Sequence, residues 1–221
     1  VGCRLSSETV NYSLETWARN AKIVIVDIDK KELVKYGKQV DVMIHWDAKQ
    51  FLRTFSGCNI QIDKTWQQYC RKLKKIHPMV TDKMKQEKPV NSYFFVERLS
   101  KLARPHDIVV VDTGSCFHVA AQVWEIKKDQ RYLTTGGISS MGWWVAAMGT
   151  AAVGHTILIT GDGSLQMNLQ ELATVKHYNL PIKMFVLNND GYGLIRASQK
   201  RYFGDKLIGE SPETGVWCPD L

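Results

Sequence analysis

Apolar residues in this chain gather into short continuous runs that rarely alternate with polar ones. The first run, Lys22-Ile23-Val24-Ile25-Val26-Asp27, is too continuous for a strand with one wet face. It predicts a strand buried on both sides, as in a parallel sheet. Around it the pattern predicts a short helix over residues 8–20, another over 29–36, and a second strand near 40–44. One strand-helix-strand unit falls short of a complete doubly wound sheet, so residues 1–55 read as the end of a domain. Residues 56–90 are basic and compatible with helix, with Pro78 as a breaker, and read as a connector.

From residue 91 to 221 strands and helices alternate. The pattern predicts a helix over 92–102, a buried strand over 107–112 and a small-residue helix after Gly142. A strand over 156–160, a helix over 164–178 and a strand over 182–187 follow. In the last helix Leu165, Leu169, Leu172, Ala173 and Lys176 fall at helical spacing, a stripe whose final position is polar. Asn179 can take the left-handed conformation that ends a helix, and Pro181 prevents continuation. The expected fold is α/β, a parallel sheet with helices on both faces, preceded by part of a second α/β domain.

Composition adds few limits. Apolar residues make up 44% and charged residues 23%, ordinary values with enough apolar material for a core. The longest weakly polar stretch, 143–154, is too short to cross a bilayer, and no N-terminal stretch has the form of a secretory signal. A soluble, cytoplasmic protein with no membrane partner is expected. The five cysteines (Cys3, Cys58, Cys70, Cys116, Cys218) form no C-x-x-C pair and no zinc spacing, so reduced structural thiols are expected. Much of the net charge of +7 lies between 63 and 88, where Arg71, Lys72, Lys74, Lys75, Lys83, Lys85 and Lys88 outnumber Asp63, Asp82 and Glu87. Lacking interleaved glycines or a nucleic-acid motif, this stretch reads as a solvated basic helix face rather than a nucleic-acid site.

Candidate chemistry follows from where the strands end. Residues just past parallel strands line one edge of the sheet, where α/β folds bind ligands. Gly161-Asp162-Gly163-Ser164 follows one strand and Asn188-Asn189-Asp190-Gly191 the next. If those strands are neighbours, the Asp162 carboxylate and the Asn189 amide oxygen converge, and both are hard ligands suited to magnesium. Ser164 would start a helix whose free amides favour phosphate, and Gly161 and Gly163 would let backbone approach a ligand closely. Each piece alone is a common turn sequence. Together, flanking one crossover, they point to a magnesium-diphosphate site.

Gly161-Asp162-Gly163, then 24 residues, then Asn188-Asn189 resembles the thiamine-diphosphate signature of acetolactate synthases, pyruvate oxidases and 2-oxoacid decarboxylases. Thr135-Gly136-Gly137-Ile138-Ser139-Ser140-Met141-Gly142 resembles the acetolactate synthase stretch that holds the cofactor's pyrimidine ring. Asp112-Thr113-Gly114 to Ala120-Ala121-Gln122 resembles their first diphosphate loop, and residues 21–29 are similar to the end of their central domain. The resemblance implies magnesium on Asp162, the Asn189 side chain and the Gly191 carbonyl. It implies diphosphate contacts from Gly114, Ser115 and Ser164, the pyrimidine edge on the backbone of Ser139 and Met141, and Met141 wedged under the cofactor. It further implies Leu194 against the cofactor, Ser198 in the substrate pocket, a 2-oxoacid substrate and a homo-oligomer for the full-length enzyme. The family's proton-tuning glutamate belongs to an N-terminal domain, and no glutamate here matches its context. The C-terminal domain is likewise expected to continue past residue 221.

Several positions depart from acetolactate synthases. Leu194 and Ser198 stand where those enzymes carry Met and Trp, and the serine leaves a larger, more polar space beside the second 2-oxoacid. Ser115 and Cys116 replace Gln and His, and Ser115 retains a hydroxyl donor for a phosphate oxygen. The departures keep three readings open: carboligation, simple decarboxylation or oxidation, and a non-catalytic diphosphate-binding module. The family resemblance also admits FAD, which no residue here supports.

Overall fold

A computed structural model describes residues 1–58, 61 and 63–218; positions 59, 60 and 62 of the expected connector and 219–221 of the last expected domain lie outside it. Two compact units emerge, Val1–Leu73 and Lys74–Leu221.

In the first unit, β1 (Val24–Asp27) and β2 (Val42–His45) pair in parallel, with α2 (Lys30–Val34) between them and α3 (Ala48–Phe55) after them. Asp29 caps α2, its side chain accepting from the Lys31 amide. Val10, Ile25, Leu33, Tyr36 and Val40 make a small core. The helix expected over 8–20 shrinks to α1 (Ser7–Val10) and one 3-10 turn. Asn11 breaks it: at φ 71° it leaves the helical region, and its side chain accepts from the Tyr12 amide at 2.7 Å. The basic segment contains α4 (Lys64–Ile76), and the division between the units falls inside it.

The second unit is built on α5 (Ser92–Leu102), β3 (Ile108–Val111), α6 (Ser115–Val123), β4 (Arg131–Thr134) and α7 (Ala146–Ala151). β5 (Thr156–Gly161), α8 (Asp162–Gln166), α9 (Leu172–His177), β6 (Ile182–Leu187) and α10 (Gly193–Phe203) complete it. The four parallel strands run in the order β4-β3-β5-β6. β3 and β5 are central and almost wholly buried, as their continuous apolar runs require. Alternate residues serve opposite faces: Val109, Val111, Ile157 and Ile159 pack with Val96, Val119 and Val123 of α5 and α6. Ile108, Val110 and Leu158 pack with Trp144, Ala147 and Leu165 on the other face. Each fully buried aliphatic side chain contributes about 1.5–3 kcal/mol by leaving water.

Two features depart from the pattern-based expectation. β4 has no apolar run to announce it; Arg-Tyr-Leu-Thr becomes a strand by pairing with β3 at the sheet's edge. The helix expected over 164–178 begins at Asp162 and is interrupted, because Asn168 leaves helical geometry and its side-chain Nδ2 donates to the Gly142 carbonyl at 2.8 Å. Its far end closes as the sequence implies. Asn179 takes φ 48°, with Leu180 N–H donating to Val175 O and Asn179 N–H to Lys176 O.

All five cysteines are free, with Cys3, Cys58 and Cys70 exposed. The buried Cys116 thiol donates to the Asp112 and Thr113 carbonyls at 3.1 and 3.0 Å. Burial, reinforced by the Asp112 charge, pushes its pKa up to about 12. Iodoacetamide at pH 8 should therefore label native Cys116 slower than Cys3 or Cys70 by about a hundredfold or more, read by mass spectrometry. Because the folded pKa is raised, this group's contribution to stability is complete below pH 9 and declines as pH rises towards 12. Equal labelling of all the thiols in native protein would contradict the burial. Among the described residues no helix is long and apolar enough to cross a membrane.

Candidate active-site edge

The carboxyl ends of all four strands in the second unit share one edge, and the four segments that the resemblance ties to the cofactor lie there. Asp112-Thr113-Gly114 follows β3, the 135–142 stretch follows β4, Asp162 follows β5 and Asn188-Asn189 follows β6. The chain passes from β3 to β4 on one side and on to β5 and β6 on the other. The gap between β3 and β5 is thus the switch point at which open α/β sheets form clefts.

Two buried carboxylates sit at this edge, in different states. Asp112 is fully buried; its Oδ2 accepts from Thr160 Oγ1 at 2.9 Å and Ser164 Oγ at 2.6 Å, and its Oδ1 from Thr113 N–H at 2.8 Å. Ser164 Oγ in turn accepts from Gly142 N–H at 2.7 Å. This network ties the segments after β3, β4 and β5 together. It also revises one expectation: α8 starts at Asp162, and the Ser164 hydroxyl points inward to Asp112. Only the backbone of Ser164 remains for an anion.

Asp162 is 3% exposed, and both hydrogen bonds it accepts go to Oδ2: from Gly191 N–H at 2.8 Å and Asn189 N–H at 3.3 Å. Its Oδ1 accepts none and the carboxylate has no ion pair among the described residues. Two neighbouring acids lie close enough to feel this carboxylate. Burial first, then Cys218 and Asp162, raise the pKa of Tyr192. Burial first, then Asp162 and Asp190, raise that of Cys218. The Asp162 carboxylate thus stands against the backbone of the 189–191 loop, and the Asn189 side-chain Nδ2 lies beside Gly193. Among the described residues there is no cluster of three His, Cys, Asp or Glu side chains suited to a metal.

Other site candidates gather around it. The Tyr192 ring lies over Gly163, where a Cβ would come within 2.5 Å of Cε1 and 3.7 Å of the Met141 methyl. Met141 is 40% exposed, so it stands at the cleft and not in the core. A Cβ on Gly193 would lie 2.8 Å from Asn189 Nδ2 and 3.7 Å from Ser115 Oγ, which brings these three residues together. Gly114, at φ 88°, starts α6 with open space beside it, and Gly161 ends β5. Ser139, at φ 59°, commits its amide to the Thr135 carbonyl at 2.7 Å. Leu194 is 44% exposed at the start of α10, and Ser198, one turn on, is also exposed. Tyr192, Arg196 and Glu210 were not singled out in the sequence; the Tyr-Gly that follows Asn-Asp-Gly was the available signal for the first.

Residues 112–217 match the C-terminal TPP binding domain of thiamine pyrophosphate enzymes, and that part of the chain belongs to this domain family. Within it, the chain is similar to acetolactate synthases. It is 31% identical over 231 residues to the "Probable acetolactate synthase large subunit" of Methanocaldococcus jannaschii, covering 96% of this chain and 38% of that protein. It is 33% identical to acetolactate synthase 1, chloroplastic, of Nicotiana tabacum, covering 89% of this chain and 31% of that one. With acetolactate synthase isozyme 2 large subunit of Escherichia coli it shares 32% identity, over 93% and 37% respectively. The chain thus spans about a third of the length of these curated relatives.

Proposed function

We propose that this edge holds thiamine diphosphate through a magnesium ion bound by Asp162, the Asn189 side chain and the Gly191 carbonyl. One observation carries the reading: Asp162 is a buried carboxylate whose Oδ1 accepts no hydrogen bond and which has no ion-pair partner among the described residues, beside a buried Asp112 whose two oxygens both accept. A hard divalent cation is the partner that a carboxylate with a free oxygen, an amide side chain and a backbone carbonyl fit. Ser115 donates its hydroxyl to a phosphate oxygen, and Gly114, Gly161 and Gly163 keep side chains clear of the diphosphate. The backbone of Ser139 and Met141 holds the pyrimidine edge, and Leu194 lines the cofactor. The Met141 side chain wedges against the ring, and Tyr192 excludes water above Gly163. The cofactor, when bound, supplies the electron sink for decarboxylating a 2-oxoacid.

In this reading the whole protein is an acetolactate-synthase-like, homo-oligomeric carboligase acting on 2-oxoacids in the cytoplasm. Ser198, small and exposed where acetolactate synthases carry Trp, favours simple decarboxylation as the second reading. With pyruvate, the full-length protein forms a ligated product under the first reading and only aldehyde under the second.

Calorimetric titration of thiamine diphosphate into full-length protein tests the site itself. Binding should require Mg²⁺ and weaken by about a hundredfold or more in Asp162→Ala, as expected on losing the one charged ligand. Unchanged affinity in a folded variant would rule the site out.

A further inference from the structure

We infer that Arg196 and Glu210 clamp the 189–192 loop, and that Arg196 is the positioning residue for the cation at Asp162. The inference rests on the magnesium reading above and deepens it. Arg196, near the start of α10, donates from Nε to Glu210 Oε2. Its other nitrogens donate to the Asn189 carbonyl at 3.4 Å and the Asp190 carbonyl at 3.2 Å. The same loop turns its amides the opposite way, with Asn189 and Gly191 N–H both on Asp162 Oδ2. The loop is therefore gripped on both sides, carbonyls by a guanidinium and amides by the candidate metal ligand. The planar fork of the guanidinium presents donors to a carboxylate and two carbonyls at once, in a fixed geometry that an ammonium lacks.

Glu210 belongs to a segment, 208–217, that is strapped to its surroundings. Its carbonyl accepts from Tyr192 N–H at 2.7 Å and packs on Gly191, where a Cβ would overlap that oxygen. Gln199, one turn beyond Arg196, donates to Ile208 O at 2.9 Å and accepts from Ile208 N–H at 3.0 Å. Gln166 of α8 donates to Trp217 O at 2.7 Å. A capping box between Ser211 and Thr214 stiffens the strap's own turn. The Glu210 carboxylate is 2% exposed. Burial pushes its pKa up, but hydrogen bonds from Arg196, Ser211 and Thr214 outweigh that and hold it below the usual carboxylate value. A buried carboxylate of this kind is tolerable only while its partner is present, so strap and loop stand or fall together.

The variants are Arg196→Lys, which keeps the charge but loses the fork, and Glu210→Gln, which keeps the shape but loses the charge. In full-length protein each should raise the Mg²⁺ concentration for half-maximal thiamine diphosphate binding by about tenfold, the scale of a supporting residue around a metal. Saturating Mg²⁺ should restore the wild-type cofactor affinity. Hydrogen exchange without metal or cofactor gives an independent reading: protection of the Gly191 and Tyr192 amides should fall about tenfold in Arg196→Lys, while β3 and β5 stay protected. Unchanged protection at those amides overturns the clamp. So does an unchanged Mg²⁺ requirement accompanied only by a lower melting temperature. Absence of Mg²⁺-dependent binding in the wild type would instead remove the magnesium reading, and with it the positioning role.

Discussion

Asp112→Ala should destabilise the Lys74–Leu221 unit by about 4 kcal/mol, at the severe end for a single substitution. The carboxylate is fully buried and accepts from Thr160, Ser164 and the Thr113 amide. Hydrogen bonds to a charged group contribute about 1.5–3 kcal/mol each, and truncation strands all three donors in the interior. The release of a buried charge offsets part of that loss, so the sum of the three is not reached. The effect should spread beyond the residue, since Ser164 relays Asp112 to Gly142 and so to the start of the 143–151 segment. Urea unfolding of Asp112→Ala and Asp112→Asn checks this. The asparagine keeps the shape and one acceptor and should cost roughly half as much. A loss below about 1 kcal/mol for alanine would show that the network is not what couples the strand ends.

Gly191→Ala should be comparably severe for a different reason. Gly191 sits at φ 135°, which L side chains rarely adopt, and a Cβ there would overlap the Glu210 carbonyl oxygen and lie 3.0 Å from its carbon. The neighbour is backbone, held by the Tyr192 amide, so it cannot swing aside. Strained backbone alone costs about 1–3 kcal/mol, and expelling the strap adds the loss of the Arg196–Glu210 pair. We expect a total of about 4 kcal/mol, a fall in melting temperature of roughly 8–16 °C for a unit of this size, and loss of Mg²⁺-dependent cofactor binding. Gly137→Ala, with nothing within 4 Å of its Cβ, is the matched control and should change the melting temperature little. Similar melting curves for Gly191→Ala and the control would show that the strap moves freely.

The periodicity placed β1, β3, β5 and β6; for β3 and β5 the reason is that a strand buried on both faces must be apolar at nearly every position, whereas β6 keeps an apolar run as a half-buried edge strand. Turn chemistry was equally legible: Asn179 ends α9 as its capacity for positive φ suggested. The two segments proposed to bear the metal were legible as strand ends, Asp162 after one strand and Asn189 after the next; that those strands pair side by side, the condition for their convergence, came from the structure. β4 was not, because an edge strand of four mixed residues owes its existence to β3 and not to its own pattern.

What the sequence by itself determined was the α/β class, the strand ends that share one sheet edge and the residue types gathered there. Only the tertiary structure decided which buried carboxylate is saturated and which is open, that the Ser164 hydroxyl turns inward, and that Arg196 and Glu210 grip the loop. The reason is range. Strand and helix periods and turn conformations are properties of neighbours in the chain. The bond from Ser164 to Asp112 spans 52 residues and exists only once β3 and β5 have paired in register.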